Sequence, residues 1–370
     1  MKSRLLWCDI LRVIATIMVI SIHTISVYQY NYIKPLQPLP YFIFGIFDSL
    51  NRMAVPAFFM LTGALTLKKN NELVTKRSYI CFVKNIFYRL IIPLIIFSLI
   101  IYLSTNKQPW SVTRFLALIL NYPGVQYHMW FMCIIIMIYF FIPFLRRLVQ
   151  SLNRGELKLL ICLVFISNNV LSGISVLAKH YNKTLFSGIT QPCIIAYANL
   201  LLLGLYIVKY KISITKRKLI YIIGIISLIL LPVIQTFAKD TNEADELVVG
   251  CSILPVFISL AGFVFIKYYF NKVKLPSYVT RVITRLSEIS FYTYLIHVTF
   301  VDIVYTYLLS HNHLKTWTDQ LIWAPAQIIV VFIISNVIAF LFDRSYRYLT
   351  KKSSVLITRH RLAKQLGNSS

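Results

Sequence analysis

The chain has 370 residues, of which 58% are apolar and only 14% charged, and its mean hydropathy is +0.71. That composition excludes a soluble globular protein, and apolar runs of 18 to 25 residues recurring along the whole length mark a polytopic helical membrane protein. The net charge of +26 is spread over many short segments with no nucleic-acid-binding fold among them, so nucleic acid is excluded as a partner.

Ten spans are expected, at about 10–28, 41–67, 87–104, 128–145, 158–177, 189–208, 219–237, 247–270, 287–309 and 320–342. The fold class is therefore all-α, with no loop long enough for a soluble domain. Residues 1–343 read as one membrane domain and 344–370 as a basic cytoplasmic tail suited to anionic lipid headgroups. With the N-terminus inside, the cytoplasmic segments carry 28 of the 38 Lys and Arg. This positive-inside bias puts both termini in the cytoplasm of a cell (inner) membrane. Four acids, Asp240, Glu243, Asp245 and Glu246, fall in one outside loop.

The first span follows Met1-Lys2-Ser3-Arg4, the outline of a signal peptide, but Asp9 and Arg12 interrupt it and no small-residue cleavage site follows. It reads as an uncleaved span. Its polar residues fall at helical spacing: Asp9, Arg12, Thr16, His23 and Ser26. Eleven steps of roughly 100° bring His23 to about 20° from Arg12, and at roughly 1.5 Å per residue the two lie about 16 Å apart along one face. Ionisable groups inside a membrane are costly and default to function. Arg12 suits a phosphate-bearing donor entering from the cytoplasm, although an arginine at that depth also snorkels to headgroups. His23 lies too deep for that, and a neutral imidazole there is a competent general base.

The second span holds Asp48, Asn51, Arg52 and Pro56 and is expected to be broken or partly re-entrant; its Pro and Gly permit a kink or a close helix crossing. At the outer end of the fourth span, Tyr127 and Trp130 fit an interfacial aromatic belt, whereas His128 between them would meet a polar acceptor. The fifth span ends in a soft Ser/Asn/Gly stretch, and the eighth begins raggedly near Pro255. In the ninth, Tyr294 and His297 stand at mid-span, and Asp302 lies about 140° round the helix from His297. The six cysteines show no metal spacing and no CxxC; Cys193 and Cys251 alone could both lie near the outer face. Histidines scattered over three spans without a carboxylate cluster call for no metal. No internal repeat appears.

Four stretches, in this order, resemble the acyltransferase 3 family of membrane-bound acyltransferases. Asp9-x-x-Arg12-x10-His23 is similar to the family's N-terminal Arg/Lys-x10-His motif, and Val55-Pro-Ala-Phe-Phe-Met-Leu-Thr-Gly63 to its VPxFFxxSG stretch, with Thr62 for Ser. His128-Met-Trp130-Phe131 is similar to its HxWF stretch and Tyr294-Leu-Ile-His297 to its YLIH stretch. Where the family often has a second arginine three residues before Arg89, this chain has Ile86, with Lys84 the expected substitute. The likeness is greatest to stand-alone, roughly ten-span O-acetyltransferases of an envelope polysaccharide.

This resemblance implies acyl transfer from cytoplasmic acyl-CoA, usually acetyl-CoA, to a hydroxyl of an envelope glycan or lipid-linked sugar, with no permanently bound cofactor. It implies that Arg12 and His23 are the essential pair, His23 as base or acyl-handling group and Arg12 as donor contact, with Asp9 positioning Arg12. Arg52, Lys84 and Arg89 are then expected at the donor phosphates, and His128, Trp130, Tyr294 and His297 on the acceptor side. Many relatives carry a fused extracytoplasmic hydrolase-like domain. This chain, ending at Ser370, is expected to finish the transfer itself or hand the acyl group to a partner. The rival expectation is a transporter or glycan-export component that uses the polar face for translocation; oligomeric state stays open.

Overall fold

The computed structural model describes residues 5–30, 38–68, 75–105, 111–120, 125–181, 183, 194–237, 246 and 252–367. In chain order the α-helices are α1 (Leu6–Tyr30), α2 (Pro38–Asn51), α3 (Ala54–Thr66), α4 (Lys76–Ile86), α5 (Ile92–Thr105), α6 (Val112–Leu120) and α7 (Trp130–Ser151). They continue as α8 (Arg154–Phe165), α9 (Leu171–His180), α10 (Ile194–Lys209), α11 (Ile214–Phe237), α12 (Ile253–Phe270), α13 (Ser277–Ser310) and α14 (Trp317–Gly367). No strand occurs among the described residues. Nine helical stretches there are long and apolar enough to cross a membrane, and the tenth expected span is the shorter apolar helix α10. The chain is an all-α polytopic membrane protein.

Three spans are interrupted, each for a local reason. Between α2 and α3 the helix breaks at Arg52 and Met53, because Pro56 has no N–H for the carbonyl four residues back. The break is held by Arg52 Nε on Asp48 Oδ2 at 2.8 Å and by the Ser259 hydroxyl of α12 donating to the Met53 carbonyl at 3.1 Å. Between α4 and α5, Pro93 likewise deprives the Arg89 carbonyl of its donor, and the chain widens into a π turn, Phe87–Ile91. The soft stretch of the fifth span is a second π turn, Ile166–Val170, beside which Asn168 Nδ2 donates back to the Val164 carbonyl at 3.2 Å.

Helix α1 packs against α2, α3, α12, α13 and α14, so it is a central helix and its polar residues face protein. Helices α3 and α10 cross backbone on backbone. A Cβ added to Gly63 would meet the Leu201 carbonyl oxygen at 2.0 Å, and one on Gly204 the Met60 carbonyl oxygen at 1.9 Å. The Gly63 of the second span thus makes the close crossing its sequence permits. Cys8, Cys81, Cys133 and Cys162 are free thiols, while Cys193, Cys251, Asp240, Glu243 and Asp245 lie outside the described residues.

Candidate active site

The polar face of α1 resolves into two stations rather than a continuous track. Between Arg12 and His23, the Thr16 hydroxyl is taken up by the Arg12 carbonyl at 2.8 Å, and Val19, on the same face, is buried and apolar. Each station is completed by α13, which runs beside α1. Ser287 meets Arg12 and His297 meets His23; the spacings of ten and eleven residues match at roughly 15–16 Å along parallel helices.

At the first station Asp9 is buried. The Ser287 hydroxyl donates to Asp9 Oδ1 at 2.6 Å and accepts from an Arg12 terminal nitrogen at 2.8 Å, while that nitrogen stays 3.8 Å from the carboxylate. Tyr139 of α7 lies close by, against Thr62 of α3 and within reach of the charges of Arg12, Arg146 and Arg89. This end of the seam is therefore cationic. Arg146 is itself anchored, its Nε donating to the Thr66 carbonyl at 2.7 Å.

The second station gathers three imidazoles from three helical segments. The ring centroids of His23 and His297 are 5.2 Å apart, those of His128 and His297 5.0 Å, and those of His23 and His128 6.0 Å. Tyr127 closes the group from the far side, 5.2 Å from His23 and half-exposed. A short 3-10 turn, Tyr127–Met129, presents His128. The Tyr294 hydroxyl pins it by donating to the His128 carbonyl at 2.5 Å. His297 Nδ1 lies 2.6 Å from the Tyr294 carbonyl. A carbonyl only accepts, so that nitrogen carries the proton and the neutral ring keeps its lone pair at Nε2.

Among the described residues, His297 Nε2 and both ring nitrogens of His128 are buried without a hydrogen-bond partner; His128 faces the backbone of Leu295 and Tyr294, but not in bonding geometry. Buried polar atoms are nearly always paired, and exceptions call for an explanation such as a ligand. Despite the three imidazoles, no group of His, Cys, Asp and Glu among the described residues is arranged to hold a metal ion.

The remaining expected site residues divide. Arg52 is paired with Asp48 in mid-span and its charge acts on His23, so it belongs with the histidines and not with Arg12. Arg89 is exposed on its π turn yet within reach of Tyr139, beside the first station. Lys84 is exposed on α4 and no described contact joins it to either station. Trp130 points away: its ring lies 5.7 Å from Tyr197 of α10, in the apolar packing around Phe59. Asp302 is exposed and acts on Tyr127, not on His297.

Ser287, Tyr139 and Tyr127 complete the stations although the sequence did not single them out for chemistry. For Ser287 a signal existed, because Ser287, Ser290, Tyr294 and His297 lie on one arc of α13 at helical spacing.

Residues 5–344, nearly the whole chain, match a family described as an acyltransferase domain. No curated protein and no solved structure matches the chain.

Proposed function

The chain belongs to this acyltransferase family, and from that premise we propose that it transfers an acetyl group from cytoplasmic acetyl-CoA to a hydroxyl of a cell-envelope glycan. The observation that carries the proposal is the pairing of a cationic station, with Arg12, and an imidazole station, with His23, on one seam between α1 and α13. The donor's phosphates sit at the cationic end, and the positive-inside bias of the basic segments supports placing that end toward the cytoplasm. Its extended pantetheine arm runs along the seam and brings the thioester to His23.

His23 takes the proton of the acceptor hydroxyl as its oxygen attacks the thioester carbonyl. The carbon–sulfur bond then breaks, the thiolate leaves, and the proton returns to sulfur, giving CoA and the O-acetyl ester. Proton transfer by a positioned base contributes about 10²–10⁴-fold. His128, Tyr294 and His297 shape the acceptor side, and Tyr127, half-exposed beside His23, faces the incoming hydroxyl. Arg52, whose charge reaches His23, is set at the reacting end rather than at the distal phosphates.

The motif resemblance to stand-alone envelope-polysaccharide O-acetyltransferases supports a sugar polymer or its lipid-linked precursor as the acceptor class. The interruption of the polar face at Val19 weighs against the rival export reading. The test is radiolabelled acetyl-CoA supplied to membranes with and without the protein, followed by analysis of envelope glycan. Label in glycan only when the protein is present supports the proposal; equal label in both removes it.

A further inference from the structure

We propose that Ser287 is the residue that positions Arg12 for the anionic acyl donor, a role that rests on the acyl-transfer reading above. A serine hydroxyl has one proton. That proton is given to Asp9 Oδ1 at 2.6 Å, so toward Arg12, whose guanidinium can only donate, the oxygen accepts, and it does so at 2.8 Å. Serine is thus inserted between two charges that would otherwise close into a direct pair and are held 3.8 Å apart.

The consequence concerns what remains of the guanidinium. A direct fork-on-fork pair with Asp9 would occupy two N–H groups and turn the planar face toward the carboxylate. Here one N–H is taken by Ser287, and among the described residues the guanidinium makes no other hydrogen bond. The Arg12 side chain keeps 28% of its surface exposed against 5% for Asp9. The other N–H groups thus stay available on a partly exposed side chain whose orientation Ser287 fixes, which is what a phosphate oxygen requires.

Because Ser287 stands on α13, the arrangement also sets Arg12 relative to His297, ten residues further along that helix. Asp9 alone, on the same helix as Arg12, would fix the guanidinium only to α1.

The test compares Ser287→Ala, Ser287→Cys and Ser287→Thr in the full chain, reading acetyl-CoA KM, kcat and the protection that CoA gives against heat. Cysteine is close to serine in size but bonds weakly, so it removes the relay without opening a void; threonine retains the hydroxyl. Ser287→Ala and Ser287→Cys are expected to raise KM about tenfold, the scale of one hydrogen bond to a charged group. CoA protection should weaken in parallel while kcat stays within about twofold, and Ser287→Thr should restore KM to within about twofold. An unchanged KM in both, a fall in kcat at unchanged KM, or no rescue by threonine would overturn the role. A wild-type protein that neither transfers acetyl from CoA nor responds to CoA would overturn the acyl-transfer reading, and this role with it.

Discussion

The two ends of the α1–α13 seam are built by opposite rules. At the Arg12 end a relay fixes one edge of the guanidinium, carboxylate to hydroxyl and hydroxyl to guanidinium, and leaves its other N–H groups for a ligand, while Thr16 bonds to the helix backbone. At the His23 end three buried ring nitrogens have no partner among the described residues. A satisfied network holds a side chain in one orientation, whereas buried nitrogens left open lose their hydration without return until a ligand supplies it. One end is made to position and the other to receive.

The largest effect is expected away from both ends and calibrates them. Gly63→Val would drive a branched side chain into the Leu201 carbonyl, where even a Cβ comes within 2.0 Å. Overpacking in cores costs about 1–3 kcal/mol or more, and against rigid backbone the folded protein should not be recoverable in detergent; normal yield and unfolding temperature would show that the crossing yields. Next, His297→Ala removes the ring whose tautomer the Tyr294 carbonyl fixes. Loss of kcat by about 10²-fold at unchanged donor KM is expected if the open end does the chemistry, at the lower bound of acid–base contributions. A rise in donor KM instead would erase the distinction between the ends.

Arg12→Lys keeps charge but loses the planar fork, so donor KM should rise about 10-fold with kcat little changed. Steady-state kinetics over a range of acetyl-CoA decides it, and an unaltered KM would mean that charge alone suffices. The smallest effect is expected for Trp130→Phe, whose ring packs on Tyr197 outside both stations. Activity within about threefold of wild type fits a packing role, since large apolar swaps that keep most of the volume usually cost under about 1.5 kcal/mol. A loss comparable to that of His297→Ala would place it in the acceptor site.

Much of this was legible in the sequence. Apolar run length marks the nine helical stretches long enough to span among the described residues and the shorter apolar helix α10, and Pro56, Pro93 and the Ser/Asn stretch after Phe165 foretell or explain where helices break or widen. Helix α6 was not foreseen, because nine residues with an arginine among them are too short and too mixed to register as a span. At the site, Asp9, Arg12 and His23 stand out because charge inside an apolar run is costly.

The convergence of His128 and His297 on His23 is tertiary, and only the motif resemblance hinted at it. Adjacency in the sequence groups Trp130 with His128. His128 sits in the 3-10 turn and Trp130 opens α7, and the two steps between them turn the indole to another face, and so to α10. For Arg52 the sequence shows the charge but not that it reaches His23.

The most direct measurement pairs two variants with two readouts: acetyl transfer, and the protection that CoA gives against thermal unfolding. His23→Ala should still be protected by CoA while transfer falls by about 10²–10⁴-fold, and Arg12→Ala should lose the protection itself. A well-folded His23→Ala protein that transfers acetyl groups at the wild-type rate would contradict the division of the seam into a holding end and a reacting end.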